Sequence, residues 1–125
     1  MDNSESKAES GHICRLNAGE TIFNYGDEAV GVFIVMEGEV ELLLDDTVIG
    51  EEKTGGIIGE MALIEESVRS ATARAKTNVV LHQIDKQQFL NMIEQSPSFV
   101  LHLMRVMANR VRKSNELLLK REERV

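Results

Sequence analysis

Cysteine is nearly absent: Cys14 stands alone among 125 residues. One thiol makes neither an intramolecular disulfide nor a cysteine-rich zinc site, and a cytoplasmic setting is the expectation that follows. Cys14 itself reads as a small buried or half-buried hydrophobe. Long uncharged apolar runs are missing as well, so the sequence offers no transmembrane helix and no membrane as partner. The opening MDNSESKAES has neither a basic start nor an apolar centre. That excludes a signal peptide and leaves a disordered polar arm over residues 1–12. Positive charge is in short supply, with a formal net charge of −7. From Arg105 onward seven basic residues face three acidic ones, which gives a tail of +4 on a body of −11. An acidic body is a poor non-specific surface for nucleic acid. The tail mixes its signs along one helix (Arg112, Lys113, Glu116, Lys120, Arg121, Glu122, Glu123, Arg124), the pattern of a solvated face.

Catalytic sets are also lacking. His12, His82 and His102 are scattered, without paired spacing or an accompanying carboxylate cluster, so no metal site is expected. No nucleophile has a base in local reach, and Ser70 and Thr72 read as binding hydroxyls. The chain is therefore expected not to be an enzyme and to carry no resident cofactor.

What is present suits one small binding domain. A hydrophobic content of 42% in 125 residues is enough for a single core. Short β-branched and apolar runs at Glu20–Phe23, Val32–Met36, Val40–Leu44, Thr47–Glu51, Ser70–Ala75 and Asn78–Ile84 alternate with turns such as Asp45-Asp46. That spacing predicts a β-sandwich or jelly roll. Asp85 and Gln88 form a capping box for a helix whose apolar side is Phe89, Leu90 and Ile93. Ser96-Pro97 opens a second, long helix. Along it Val100, Leu103, Met104, Met107, Val111, Ser114 and Leu118 recur at steps of three and four, uninterrupted by proline or glycine. Such a helix outgrows a small barrel.

The chemistry concentrates in residues 59–73, GEMALIEESVRSATA. If Glu60 to about Glu66 makes one or two helical turns, the first N–H groups lack partners and face an anion. Arg69 adds a full charge and a planar guanidinium for two phosphate oxygens, with the Ser70 hydroxyl and Ala71 N–H beside it. Glu60 suits sugar hydroxyls. The same residues also fit a helical turn followed by a strand, with Glu60 and Arg69 as a surface ion pair.

Gly59, Glu60, Met61, Ala62, Leu63, Arg69, Ser70, Ala71 and Thr72 fall in register with a known pattern. It resembles the phosphate-binding cassette of the cyclic-nucleotide-binding domain, found in the catabolite activator (Crp/Fnr-like) family and in cyclic-nucleotide-dependent kinases and channels. The resemblance covers about Cys14 to Leu118. It departs at Val68, where many members carry proline, and in a shorter hairpin between Leu44 and Gly55. It implies a mainly β fold with flanking α-helices: a double-stranded β-helix (jelly-roll, cupin-like) barrel over residues 13–96, then a long C-terminal lid or dimer helix over 97–125. By resemblance Arg69 binds the cyclic phosphate, Glu60 the ribose 2′-hydroxyl, and the Gly59 backbone packs by the sugar. Ser114 and Asn115 fall where catabolite activators carry two hydroxyl residues that reach the purine; Ser114 equally suits a helix seam and Asn115 solvent.

The resulting expectation is a non-catalytic sensor of a 3′,5′-cyclic nucleotide, cyclic AMP favoured over cyclic GMP, relaying through the long helix to a second copy in a homodimer or to an unknown downstream protein. No helix-turn-helix follows the long helix, so direct DNA binding is not expected of this chain. The alternatives are an interaction module with an altered pocket, or a piece of a larger cyclic-nucleotide-regulated protein.

Overall fold

A computed structural model describes residues 12–123. Apart from His12, the expected polar arm lies outside the described residues. Among these residues eight strands make two antiparallel sheets of four. One holds β1 (His12–Leu16), β8 (Val79–Asp85), β3 (Gly31–Glu37) and β6 (Ile57–Ile58), in that order. The other holds β2 (Thr21–Phe23), β7 (Thr72–Ala75), β4 (Val40–Leu44) and β5 (Thr47–Glu52). Among the described residues three helices accompany them: α1 (Glu60–Glu65), α2 (Lys86–Gln95) and α3 (Pro97–Glu123). This is the expected jelly roll with a short and a long helix after it.

The two-residue period of the strands sorts the core into two parts. Phe33, Val35, Leu42, Ile58, Ala73, Ala75, Val79 and Leu81 fill the space between the sheets. Val32, Ile57 and Ile84, one residue out of phase, face the helices and pack with Leu63, Phe89, Leu103 and Val106. Because β3 is covered on both faces, its sequence reads as an unbroken apolar run rather than an alternating one.

Local rules explain the joints. Asp45 (φ 51°) and Asp46 (φ 64°) form the two-residue turn between β4 and β5, both in the left-handed region that such hairpins need. Asp85 caps α2 as expected: it accepts from the Gln88 N–H at 2.8 Å, and Gln88 Oε1 accepts from the Asp85 N–H at 3.0 Å. Ser96 Oγ accepts from the Phe99 N–H at 3.2 Å, and Phe99 meets Phe89 edge-on, which fixes α3 against α2.

Three expectations are corrected. β1 and β6 were not among the predicted strands, the first a short alternating run and the second only two residues long. The strand predicted from Ser70 begins at Thr72, because Gly26 N–H donates to Arg69 O and Arg69 N–H to Asp27 O. Those bonds pin the approach to the β2–β3 turn instead of the sheet. In α3 the buried line is Leu103 and Val106, with Phe99, Val100 and Met107 half-buried, whereas Met104 and Val111 are exposed. The predicted stripe mixed two faces of one helix.

Candidate functional site

The cassette is built around a glycine. Gly59 sits at φ 86° immediately before α1, where a Cβ would run into the Arg69 guanidinium. Only glycine allows both the backbone angle and the close approach. α1 ends at Glu66 in the left-handed region, with the Glu66 and Ser67 N–H groups donating to Ala62 O, and the chain then returns to place Arg69 beneath Gly59.

Arg69 is 3% exposed. Its Nη1 donates to Gly59 O at 2.8 Å and its Nη2 to Gly31 O at 2.7 Å, while Phe23 stacks 4.2 Å from its carbon centre. No described carboxylate forms an ion pair with it. Burial pushes the guanidinium pKa down, against the upward pull of the Glu60 and Asp27 charges. An arginine remains charged in such a place, so Arg69 presents a positive charge held by neutral carbonyls. Its Nε is buried without a partner.

Glu60, 1% exposed, opens α1, and its Oε2 accepts from its neighbour's Met61 N–H at 3.1 Å. The surface ion pair with Arg69 does not exist. Glu60 is engaged instead by Arg110 of α3, whose Nη1 donates to both carboxylate oxygens at 2.9 Å. Arg110 Nη2 donates to Glu52 Oε2 at 2.9 Å and to Ile57 O at 2.7 Å. Burial acts downward on Arg110, but Glu60 and Glu52 outweigh it and hold the guanidinium pKa up. Burial pushes the Glu52 carboxyl up, the Glu60 charge adds to that push, and Arg110 pulls partway back.

At the two arginines lies a cavity of about 50 Å³, lined by Arg69, Arg110, Glu60, Phe23, Leu42 and residues of the cassette. That volume holds a water or two, against roughly 300–1,000 Å³ for a typical small-molecule pocket. Of the predicted site residues, Gly59, Glu60, Met61, Ala62, Arg69, Ser70 and Ala71 meet at this cavity. Thr72 does not. Its Oγ1 accepts from the Tyr25 N–H at 3.0 Å, and it lines a separate groove with Leu43, Asp45 and Arg74. Ser114 and Asn115 are exposed on α3. Ser114 lies one turn beyond Arg110 on the same side of the helix, outside the cavity. Sequence reasoning missed Arg110 and Glu52. The available signal was a lone arginine four residues after Val106 and three after Met107, on the line that the helix buries.

Among the described residues no cluster of histidine, cysteine, aspartate or glutamate could hold a metal ion, and no helix is long and apolar enough to cross a membrane.

The chain is 33% identical over 104 residues to lysophospholipase NTE1 of Pyricularia oryzae, across 79% of its own length and 7% of that protein's. It is 31% identical over 116 residues to the Pycsar effector protein XpPycTIR of Xanthomonas perforans, across 92% of its length and 38% of the effector. It thus spans only a small part of the relatives it matches. The solved structure of cAMP-bound PfPKA-R superposes with a TM-score of 0.72 at 28% identity, covering 94% of this chain and 41% of that one. The model of the family described as "Cyclic nucleotide-binding domain" matches residues 13–96, and the chain belongs to that family.

Proposed function

We propose that residues 13–96 form a non-catalytic sensor for a 3′,5′-cyclic nucleotide and that residues 97–125 relay its occupancy. The observation that carries this reading is the pairing of a buried, carbonyl-held Arg69 with a buried Glu60 at one cavity, while α3 grips Glu60 through Arg110. The cyclic phosphate takes the Arg69 charge and its open Nε donor, with the Ser70 hydroxyl and Ala71 N–H alongside. The ribose 2′-hydroxyl donates to Glu60. Arg110 occupies both oxygens of the carboxylate that the ribose 2′-hydroxyl would use, so binding of the sugar requires the Arg110 corner to yield. That requirement links the ligand to the position of α3, as two arrangements whose balance the ligand shifts. Cyclic AMP is favoured over cyclic GMP: the cassette resembles the catabolite activators, and PfPKA-R was solved with cAMP bound. In the ligand-bound arrangement Ser114 and Asn115 come within reach of the base. Thr72 serves the fold of the cassette rather than the ligand.

Isothermal titration calorimetry tests this. Wild type binds cyclic AMP in the nanomolar to micromolar range, and Arg69→Ala weakens it by about 30- to 150-fold, the equivalent of a charge-assisted contact of about 2–3 kcal/mol. Binding left unchanged by Arg69→Ala overturns the assignment.

A specific feature also favours an interaction role for α3. Leu101, Met104, Val111 and Leu118 form an exposed apolar line on the helix. It suits a homodimer seam or a downstream protein. Sedimentation velocity separates the two: a two-chain species supports the seam, and a monomer at high concentration leaves the line to another protein.

A further inference from the structure

Glu52 is a charged residue where the barrel buries its strands. It ends β5 opposite Val40, which is fully buried, and is itself 8% exposed. The space for it comes from Gly56: a Cβ there would lie 2.5 Å from Glu52 Oε1 and 2.8 Å from its Cβ. Gly56 is thus needed for volume, and the two residues are matched to each other. The carboxylate held in that space faces Arg110 directly, with the Glu60 and Lys113 charges beyond it. Two carboxylates therefore share one guanidinium, Glu60 on Nη1 and Glu52 on Nη2.

This excess of negative charge bears on the ligand. A carboxylate matched one to one by a guanidinium is a weakened acceptor, and a sugar hydroxyl would have to displace the arginine to use it. We propose that Glu52 is a positioning residue for the ligand's sugar: by holding Arg110 through Nη2 while Glu60 engages Nη1, it competes for the arginine and lets Glu60 exchange Nη1 for a ribose 2′-hydroxyl. The proposal rests on the reading of Glu60 as the sugar's acceptor. When Glu60 turns to the hydroxyl, Arg110 retains Glu52 and the Ile57 carbonyl, so no buried charge is stranded.

The test compares cyclic AMP with 2′-deoxy cyclic AMP by calorimetry on the whole chain. Wild type prefers the hydroxylated ligand by about tenfold or more, the size of a hydrogen bond to a charged acceptor. Glu52→Gln lowers that preference by about threefold or more, whereas affinity for the deoxy ligand holds or rises as a negative charge leaves the site. In an Arg110→Met background Glu52→Gln leaves the preference unchanged, because Glu52 acts through the arginine. Gly56→Ala puts a methyl group against Glu52 Oε1 with every ligand-facing side chain in place, and lowers the preference in the same direction even if Glu52→Gln does not fold. An unaltered preference in Glu52→Gln, or in Gly56→Ala where Glu52→Gln fails to fold, overturns the proposal, as does an equal loss for both ligands. A wild-type preference near one removes the Glu60 reading and the proposal with it.

Discussion

The two sides of the cavity hold their arginines in opposite ways. On the barrel side Arg69 rests on two backbone carbonyls and a phenyl ring; on the helix side Arg110 rests on two carboxylates and a carbonyl. Arg69 is buried and Arg110 half-buried, yet only the second has its charge answered within the protein. Carbonyl dipoles orient a guanidinium and satisfy its hydrogens without cancelling its charge, so Arg69 stays attractive to an anion. The Glu60–Arg110–Glu52 set, by contrast, is an internal contact between helix and barrel. In the function proposed above, the barrel side holds the ligand and the helix side responds to it.

The largest effect expected from breaking this contrast is on stability. Arg110→Met removes the counter-charge of two buried carboxylates at once and costs about 3–5 kcal/mol of unfolding free energy, read by urea denaturation at neutral pH. The pH dependence follows from Glu52. Its carboxyl is already pushed up by burial and pulled back by Arg110, so loss of the arginine raises it further. A carboxyl whose folded pKa lies above its unfolded value contributes stability at low pH that is lost as pH rises through the folded pKa. The deficit of Arg110→Met against wild type is therefore greatest near neutrality and shrinks on acidification. A deficit below about 1 kcal/mol at pH 7 would dissolve the distinction between the two arginines.

How much of this was legible in the sequence depends on whether a residue's partner is local. The cassette was legible because glycine, acid and arginine lie within a short stretch whose geometry is set by its own backbone, as Gly59 over Arg69 shows. The capping box at Asp85 and the Asp45-Asp46 turn are local in the same sense. Arg110 and Glu52 were illegible for the opposite reason. They lie 58 residues apart and meet only because the sheet and α3 pack together. The phase of α3 was illegible as well: a helix that is apolar on two sides does not declare which side the barrel will cover. Leu103 and Val106 went inward, and Met104 and Val111 outward. β6 is two residues between turns, too short to carry a period.

The smallest effect belongs to an arginine that shares the chemistry of Arg110 without its burial. Arg74 and Glu41 are directly opposed on β7 and β4, and Arg74 donates to Glu41 Oε1 from Nε at 3.2 Å and Nη2 at 2.8 Å. The Arg74 side chain is 40% exposed, and water screens the pair. An exposed ion pair of this kind contributes about 0–1 kcal/mol. Arg74→Met is accordingly expected to cost less than about 1 kcal/mol in the same denaturation experiment, with much of that lost at high salt. If its cost rivals that of Arg110→Met, partner number and hydrogen-bond geometry rather than desolvation set the value of these contacts, and the two sides of the cavity differ less than their burial implies. If it stays small while Arg110→Met is large, the strength of the helix contact comes from removing its charges from water, the condition that a ligand entering the cavity would change.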